Sequence, residues 1–206
     1  MLFGPAGTLK YWPGWVFTVM NLLCSLLLCA WFYNKDPQVL ERRLLTREKL
    51  SAQKWIMQLA KLSYGLAFML PGFDFRLGWT NRWFGPMPGW FMVLGLSLVL
   101  AGYLLMFWVL KANRFAASVI QVEAAQPVVS TGPYQFVRHP LYSGSILVWL
   151  GAPLALGSWV SVPAFGLIIP ILILRLLHEE KFLGGELPGY ADYCRRTRCR
   201  LVPGIW

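Results

Sequence analysis

Charged residues are scarce in this chain, and acidic ones are scarcest. Asp, Glu, Lys and Arg make up 14% of the 206 residues, against about 25% in ordinary globular domains. Apolar types reach 57% and aromatics 16%. A small soluble domain must cover its core with polar surface, so this composition argues against one. The chain has 9 acidic and 19 basic residues, so its formal charge is +10. An apolar and basic chain is typical of a membrane protein or a nucleic-acid binder.

Several common motifs are also missing. No G-x-G-x-x-G follows a strand pattern, so no Rossmann-type cofactor site is expected. The four cysteines form no C-x-x-C pair and no suitably spaced histidine pair is present, so no metal site is predicted. We expect Cys24 and Cys29 to be apolar packing residues, and Cys194 and Cys199 to be free thiols. No internal repeat is visible, so we read one membrane domain over residues 1–206.

Long uncharged runs set the fold class. A helix needs about 20 apolar residues to cross the roughly 30 Å hydrocarbon core. Runs 13–33 and 88–110 meet this length without a charge, and 55–73 contains only Lys61. The uncharged run 141–174 is too long for one span, and the prolines and glycine near its middle indicate two short spans joined by a tight turn. The prediction is an all-α, polytopic helical membrane protein with about five transmembrane helices.

The basic residues lie mostly on one side of this layout. Six lie in loop 34–54, three in 111–140 and five after residue 178, while the loops predicted on the opposite side hold three. The positive-inside rule places the N-terminus outside and the C-terminus in the cytoplasm, which requires an odd number of spans. Orientation and contact with anionic membrane lipids account for this charge, so nucleic acid is not an expected partner.

Residues 138–140, Arg-His-Pro, precede a predicted helix. Pro140 suits the first turn of a helix, and the amides beyond it are expected to be uncapped donors that can hold an anion. His139 and Tyr142 add side chains able to make directed hydrogen bonds. The alternative is an ordinary helix start with an interfacial arginine.

Arg175 is a charged residue inside an otherwise apolar predicted span. It lies about one turn inside the end of the last span, and Glu179 is at i+4 on the same helix face. The pair would recognise charged groups; the alternatives are a structural ion pair or an arginine that snorkels to the interface. His178 and Glu180 are expected to be solvated.

The last span is predicted to end at a cluster of breaking residues, namely Gly184, Gly185, Pro188 and Gly189. Beyond it, 190–200 combines two tyrosines at i+3 with four arginines and indicates a short interfacial amphipathic helix. This helix is either an anchor to anionic lipid or a lid.

The polar segments together resemble a known family. Residues 132–144 read G-P-Y-x-x-x-R-H-P-L-Y-S-G, and Glu179-Glu180, Gly189-Tyr190-x-x-Tyr193 and Leu201-x-Pro203 follow. This combination resembles the isoprenylcysteine carboxyl methyltransferases and their relatives among bacterial membrane methyltransferases and phospholipid N-methyltransferases, over roughly residues 111–206. Residues 36–55 are similar to the first cytoplasmic loop of the bacterial members.

The resemblance implies S-adenosyl-L-methionine as cofactor and a lipophilic or lipidated substrate that enters from the bilayer. Arg175 matches the substrate-side arginine, and Arg175 and Glu179 are the implied catalytic residues. Residues 1–110 would hold three membrane helices and the basic cytoplasmic loop 34–54, and 111–206 the cofactor-binding catalytic half. The implied cofactor contacts are Gln121, Gln126, Pro127, Val128, Val129, Tyr134, His139, Pro140, Leu141, Tyr142 and Glu179.

The chemistry of the acceptor favours an acid. A carboxylate is ionised at pH 7 and needs no general base, and Arg175 would hold it; an amine would need Glu179 as base. We predict an integral-membrane methyltransferase for a lipidic substrate, favouring carboxyl O-methylation of a prenylcysteine-like or other lipophilic acid, with its site on the cytoplasmic face of a bacterial inner membrane or equivalent. The alternatives are a phospholipid N-methyltransferase, an NADPH-dependent steroid-type reductase with a similar R-H-P run, and a non-enzymatic membrane scaffold.

Overall fold

The computed structural model describes residues 1–44, 51–123 and 126–206. Within these ranges the chain is all-helical, without strands, which confirms the predicted fold class. Arg47 and Lys49 of the predicted basic loop lie outside the described residues. The helices are α1 Phe3–Ala6, α2 Trp12–Lys35, α3 Pro37–Leu44, α4 Ser51–Leu77, α5 Trp79–Trp83, α6 Gly89–Ala112, α7 Pro140–Ala155, α8 Ser161–Gly166, α9 Ile168–Glu186 and α10 Tyr190–Arg196, with a 3₁₀ turn at Gly132–Gln135.

Three stretches of the described chain are long and apolar enough to cross a membrane: α2, α6 and Ser161–Glu186, which comprises α8 and α9. Helix α7 is apolar but shorter. Helix α4 is long enough, but Lys54, Lys61, Asp74 and Arg76 lie within it. The apolar helices are those of an integral membrane protein, and the number of five spans stays a prediction.

Two predicted boundaries are confirmed and one is wrong. Helix α7 starts with Pro140 in its first turn, and a tight turn follows it where Gly157 adopts a φ of 70°. The predicted break at Gly184 and Gly185 is wrong, because α9 continues to Glu186. A helical glycine costs only about 1 kcal/mol relative to alanine, whereas Pro188 forces Leu187 before it into an extended conformation.

Helices α6 and α7 pack with their backbones in contact at glycines. A Cβ on Gly102 would lie 2.6 Å from the Gly144 carbonyl oxygen, and a Cβ on Gly95 would lie 2.6 Å from the carbonyl oxygen of Gly151. Small residues allow such close approach between apolar helices, where dispersion contacts replace the hydrophobic effect. The antiparallel pair brings the end of α6 and the start of α7 to the same end of the bundle, which we call the cavity end.

A buried polar cluster closes the opposite end. Asp74, 3% exposed, accepts hydrogen bonds from the Thr80 amide at 2.7 Å and the Thr80 hydroxyl at 2.5 Å. The Ser158 hydroxyl also donates to Asp74 and lies 2.7 Å from that of Ser161. The carboxylate thus joins α4 and α5 to the turn between α7 and α8, and its buried oxygens are satisfied.

Candidate functional site

A cavity of about 400 Å³ lies between α4, α7, α9, α10 and the segment that joins α6 to α7. On α9 the lining residues recur every three or four positions and therefore occupy one helix face: Ile168, Ile171, Leu172, Arg175, Glu179 and Leu183. At a rise of 1.5 Å per residue this face extends about 22 Å along the helix axis. The cavity therefore reaches from the apolar interior of the bundle to the cavity end.

The deeper part of the cavity is the apolar arm. Its walls come from three helices: Ile56, Met57 and Ala60 on α4, Ser145 and Trp149 on α7, and Ile168, Ile171 and Leu172 on α9. Aliphatic and aromatic walls of this kind suit a hydrocarbon chain, since they offer it dispersion contacts without desolvating polar groups.

The outer part is the polar pocket. Its walls are Gln121, Gln126, Pro127, Val128, Val129, Tyr134, His139, Leu141, Leu183, Leu187, Tyr190 and Tyr193. The Asn113 amide donates to the Tyr134 hydroxyl at 3.0 Å. Burial raises the pKa of Tyr134 to about 12, so this phenol is neutral at pH 7 and keeps its proton. The pocket thus offers amide and phenol groups among apolar walls, the usual composition of a small-molecule site.

The two parts meet at Tyr142. Its hydroxyl donates to Glu179 Oε2 at 2.5 Å and accepts from Arg175 Nε at 3.0 Å. The cation and the carboxylate, predicted to share a face of α9, are therefore bridged by a phenol from α7. This arrangement holds both charged groups in the cavity wall in a defined orientation.

Further contacts fix the Arg175 guanidinium. Nη2 donates to the Ser118 carbonyl at 2.6 Å, and Nη1 contacts the sulfur of Met57. The side chain is therefore directed into the cavity wall, not towards the outer surface as snorkelling would require.

Arg43, at the end of α3, is a cavity residue that sequence reasoning missed. Its Nη1 donates to the Ala117 carbonyl at 3.2 Å, and it lines the cavity together with Arg175. Burial, with a smaller contribution from the charge of Arg175, lowers the pKa of Arg43. In the sequence, orientation and contact with anionic lipids account for the charge of loop 34–54. Its similarity to the first loop of the bacterial relatives was the one signal pointing to a role in the site.

The prediction that Glu180 is solvated is wrong. Its carboxylate forms an ion pair with Arg138 at 2.9 Å, and accepts hydrogen bonds from His139 Nε2 at 3.2 Å and from Arg200 Nε at 2.8 Å. The C-terminal segment folds back beside α9 and supplies one of these partners, which helix periodicity does not reveal. His178 is exposed, as predicted.

The expected open anion site at the start of α7 is wrong for two of its amides. The amides of Tyr142 and Ser143 donate to the His139 carbonyl at 3.0 and 3.2 Å. The helix thus closes its own first turn, and the side chains, not these amides, face the cavity.

Helix α10 covers the polar pocket. Tyr190 and Tyr193 are buried, and the Tyr193 hydroxyl donates to the Tyr134 carbonyl at 2.8 Å. Arg195 and Arg196 remain exposed on the outer face. The position of its tyrosines agrees with a lid and its exposed arginines agree with a lipid anchor, so both alternatives for this helix stay predictions.

The structure brings the predicted site residues together in one place. Every residue named above as a catalytic residue or cofactor contact lines the cavity except Pro140, which is buried at the start of α7. The individual roles assigned to these residues stay predictions.

Fold and site together define a class of protein: a helical membrane protein with a cavity that joins a hydrocarbon-compatible arm to a polar pocket. Residues 90–186 match the family described as phospholipid methyltransferase, and this confirms the resemblance carried by the motifs. The match begins at the start of α6 and ends with α9. It thus contains the glycine-packed helix pair and the Arg175–Glu179 face of the cavity.

Three relatives extend this comparison. The cobalt-zinc-cadmium resistance protein CzcN of Cupriavidus metallidurans is 30% identical over 158 residues, 74% of this chain and 63% of the relative. Protein-S-isoprenylcysteine O-methyltransferase B of Arabidopsis thaliana is 29% identical over 52% of this chain and 57% of its own length. The nickel-cobalt-cadmium resistance protein NccN of Alcaligenes xylosoxydans xylosoxydans is 29% identical over 58% of this chain and 52% of its own. The chain therefore spans between 52% and 63% of the length of these three relatives.

Proposed function

We propose that this protein is an S-adenosyl-L-methionine-dependent methyltransferase of the membrane that acts on a lipidic substrate, with carboxyl O-methylation favoured. One observation carries the proposal: the apolar arm and the polar pocket meet at the Arg175–Tyr142–Glu179 bridge. A lipid chain in the arm would place its head group at this bridge. A cofactor in the pocket would place its reacting atom there from the other side.

The polar pocket fits the cofactor by its chemistry. Within the described residues the Tyr190 hydroxyl is buried without a hydrogen-bond partner, although it lines the cavity. A buried unpaired hydroxyl costs about 1–3 kcal/mol, so a polar ligand there would relieve it. The amides of Gln121 and Gln126, the phenol of Tyr134 and the ring of His139 are further groups for the cofactor's polar atoms. The apolar wall 127–129 suits its base.

The chain's own residues would provide positioning and exclusion of water. S-adenosyl-L-methionine, when bound, supplies a methyl group already activated on a sulfonium. Arg175 would hold a substrate carboxylate in line with that group, and Tyr142 would fix the Arg175 guanidinium. In-line positioning and exclusion of water are the main requirements of such a transfer, and the α10 lid suits the second.

A phospholipid amine is the second candidate acceptor. Glu179 favours it, because its carboxylate lies in the cavity wall and an amine must lose a proton to react. Arg175 favours the acid, because a guanidinium would repel a cationic ammonium at the same place. Methylation assays with a lipophilic acid and with phosphatidylethanolamine separate the two.

Cofactor binding is the direct test. Titrating S-adenosylhomocysteine into the purified protein in lipid nanodiscs should give a saturable calorimetric signal, and NADPH should not compete with it. No detectable S-adenosylhomocysteine binding would overturn the proposal. NADPH binding in its place would return the protein to the steroid-type reductase alternative.

We also propose that the cavity end faces the cytoplasm and the N-terminus lies outside. The basic residues support this orientation through the positive-inside rule. In a background with the four native cysteines replaced by serine, a cysteine at Thr8 should react with a membrane-impermeant maleimide in intact cells. A cysteine at Arg198 should react only after permeabilisation, and the reverse labelling pattern would contradict the proposed topology.

A further inference from the structure

Two buried polar atoms in the cavity wall have no hydrogen-bond partner within the described residues: Arg138 Nε and the Tyr190 hydroxyl. Both side chains line the cavity, and Tyr190 is only 6% exposed. Arg138 lies just before α7 and Tyr190 is the first residue of α10, so two separate elements bring these atoms to one cavity. Because buried polar groups in folded proteins are nearly always paired, two unpaired ones in the same wall indicate a site for a polar ligand.

The rest of the Arg138 guanidinium is held by the fold. Nη1 forms an ion pair with Glu180 at 2.9 Å, and Nη2 donates to the Arg198 carbonyl at 3.3 Å. The guanidinium also interacts with the Cys194 thiol. The backbone is fixed as well, since the Arg138 amide donates to the Cys199 carbonyl at 2.9 Å. Nε is therefore a donor in a set position, with its two neighbouring nitrogens already engaged.

The Tyr190 phenol lies near this guanidinium and keeps its proton. Burial is the main cause that raises the pKa of Tyr190, and the charge of Arg138 opposes this rise. Further groups that add to the rise are Cys194, Glu180 and Glu179. At pH 7 the hydroxyl is thus neutral and able to donate, and a guanidinium nitrogen can only donate. Together the two atoms suit a ligand group that accepts hydrogen bonds.

The fixed charges around the two donors favour an anion. Glu180 is shared by two guanidiniums, Arg138 at 2.9 Å and Arg200 at 2.8 Å. One positive charge of this group is therefore not offset by the carboxylate between them. Glu179 is engaged elsewhere, at the bridge where it accepts from Tyr142 at 2.5 Å. Hydrogen-bond donors beside an excess cation are the groups that bind a carboxylate most strongly.

We propose that Arg138 Nε and the Tyr190 hydroxyl bind the carboxylate at the amino-acid end of S-adenosyl-L-methionine. The subsite rests on the proposed function, and it adds to it two residues that the sequence motifs did not assign to the cofactor. A carboxylate has lone pairs for both donors, and both bonds would be charge-assisted. Because Tyr190 belongs to α10, its bond would also hold this helix over the bound cofactor.

The test compares two ligands that differ only in this carboxylate. S-adenosylhomocysteine and its decarboxylated form are titrated calorimetrically into the full-length protein in lipid nanodiscs. The wild-type protein should bind S-adenosylhomocysteine about tenfold more tightly or better, as expected for hydrogen bonds to a charged group. Tyr190→Phe and Arg138→Lys should each lose most of this preference by weakening S-adenosylhomocysteine alone. Arg138→Lys keeps a positive charge opposite Glu180, so it tests the lost Nε donor.

Tyr193→Phe is the matched control on the same helix. Its hydroxyl already donates to the Tyr134 carbonyl at 2.8 Å, so this variant should keep the preference for the carboxylate. Thermal unfolding of the ligand-free protein is a second readout. Tyr190→Phe should raise the unfolding midpoint, because it removes an unpaired buried hydroxyl, whereas Tyr193→Phe should lower it. A rise in stability combined with a loss of affinity is the signature of a binding group, and a tyrosine with only a structural role would not show it.

The outcomes separate the subsite from the proposed function. Equal affinity of the two ligands in the wild-type protein would overturn the subsite and leave the methyltransferase in place. The same holds for a preference that is unchanged in both Tyr190→Phe and Arg138→Lys. Failure of both ligands to bind would overturn the proposed function and the subsite with it.

Discussion

The Tyr142 hydroxyl donates a hydrogen bond of 2.5 Å to Glu179 Oε2, from α7 to α9. Because the same oxygen accepts from Arg175, this single phenol sets the spacing between the cation and the carboxylate of the site. This hydrogen bond joins α7 to α9 and forms only if the two helices keep their relative position. It therefore makes Tyr142 the residue through which the geometry of the site is most directly tested.

Replacing Tyr142 with phenylalanine should keep the packing of the ring and release both charged partners. We expect turnover to fall about tenfold to a hundredfold, since each lost bond involves a charged group. The measurement is methyl transfer to a lipophilic acid at saturating S-adenosyl-L-methionine, with the thermal unfolding midpoint as the control. An unchanged rate in Tyr142→Phe would show that Arg175 and Glu179 are oriented without it.

Removing Arg175 should separate substrate handling from cofactor binding. Arg175→Ala is expected to abolish turnover while leaving S-adenosylhomocysteine affinity largely intact, because the bonds to Tyr142 and Ser118 hold the guanidinium where the apolar arm meets the polar pocket. Arg175→Lys should recover only part of the activity, since a point charge cannot reproduce the planar fork. A fully active alanine variant would leave Arg175 with a structural role.

The glycine contact between α6 and α7 predicts an unusual response to alanine. Gly102→Ala should destabilise the protein by about 1–3 kcal/mol, as overpacking does, because its Cβ would lie 2.6 Å from the Gly144 carbonyl. Gly184→Ala in α9 is the matched control: apart from its chain neighbours and its own helix backbone, no described atom would lie within 4 Å of its Cβ. A helical Gly-to-Ala change in open space stabilises by about 0.5–1 kcal/mol. The thermal unfolding midpoint in detergent should therefore fall in Gly102→Ala and rise in Gly184→Ala. Equal shifts in the two variants would argue against the close packing of α6 and α7.

The polar cluster at the opposite end should govern stability and not binding. Asp74→Asn replaces an acceptor-only carboxylate that takes bonds from Thr80 and Ser158, and should cost about 1–3 kcal/mol. S-adenosylhomocysteine affinity should be unchanged, because the cluster lies away from the cavity end. Asp192→Asn, an exposed position, is the control and should leave stability unaffected. A loss of affinity in Asp74→Asn at full stability would link this end to the site.

The Arg42–Glu123 pair predicts a pH dependence for the attachment of α3. The hydrogen-bonded guanidinium lowers the pKa of Glu123 below its usual value. A carboxyl whose pKa is lower in the folded state stabilises it above the unfolded pKa of about 4.3, and that contribution is lost as pH falls through the lowered value. Amide hydrogen exchange in α3 should therefore speed up, relative to α6, below that range. In Glu123→Gln this acid-dependent difference should vanish; its persistence would assign it to another group.

Much of the site was accessible from sequence because its signals are local. Hydropathy identified the apolar helices, and proline at the start of α7 and glycine in the following turn marked their boundaries. The family resemblance named the candidate site residues, and all of them except Pro140 line one cavity. The pairing of Tyr142 with Glu179 was not predicted, because two helices must first pack before their side chains meet.

Sequence alone thus predicted a membrane environment, the all-helical class and the local segments that carry the polar groups. Each of these follows from composition or from spacing along one helix. The tertiary structure alone decided which of those groups meet. It paired Glu180 with Arg138, His139 and Arg200, buried Asp74 against Ser158, and placed Arg43 and Arg175 in the wall of one cavity. These contacts join segments far apart in the chain, and their energies depend on burial and distance. The periodicity of a single segment does not specify either quantity.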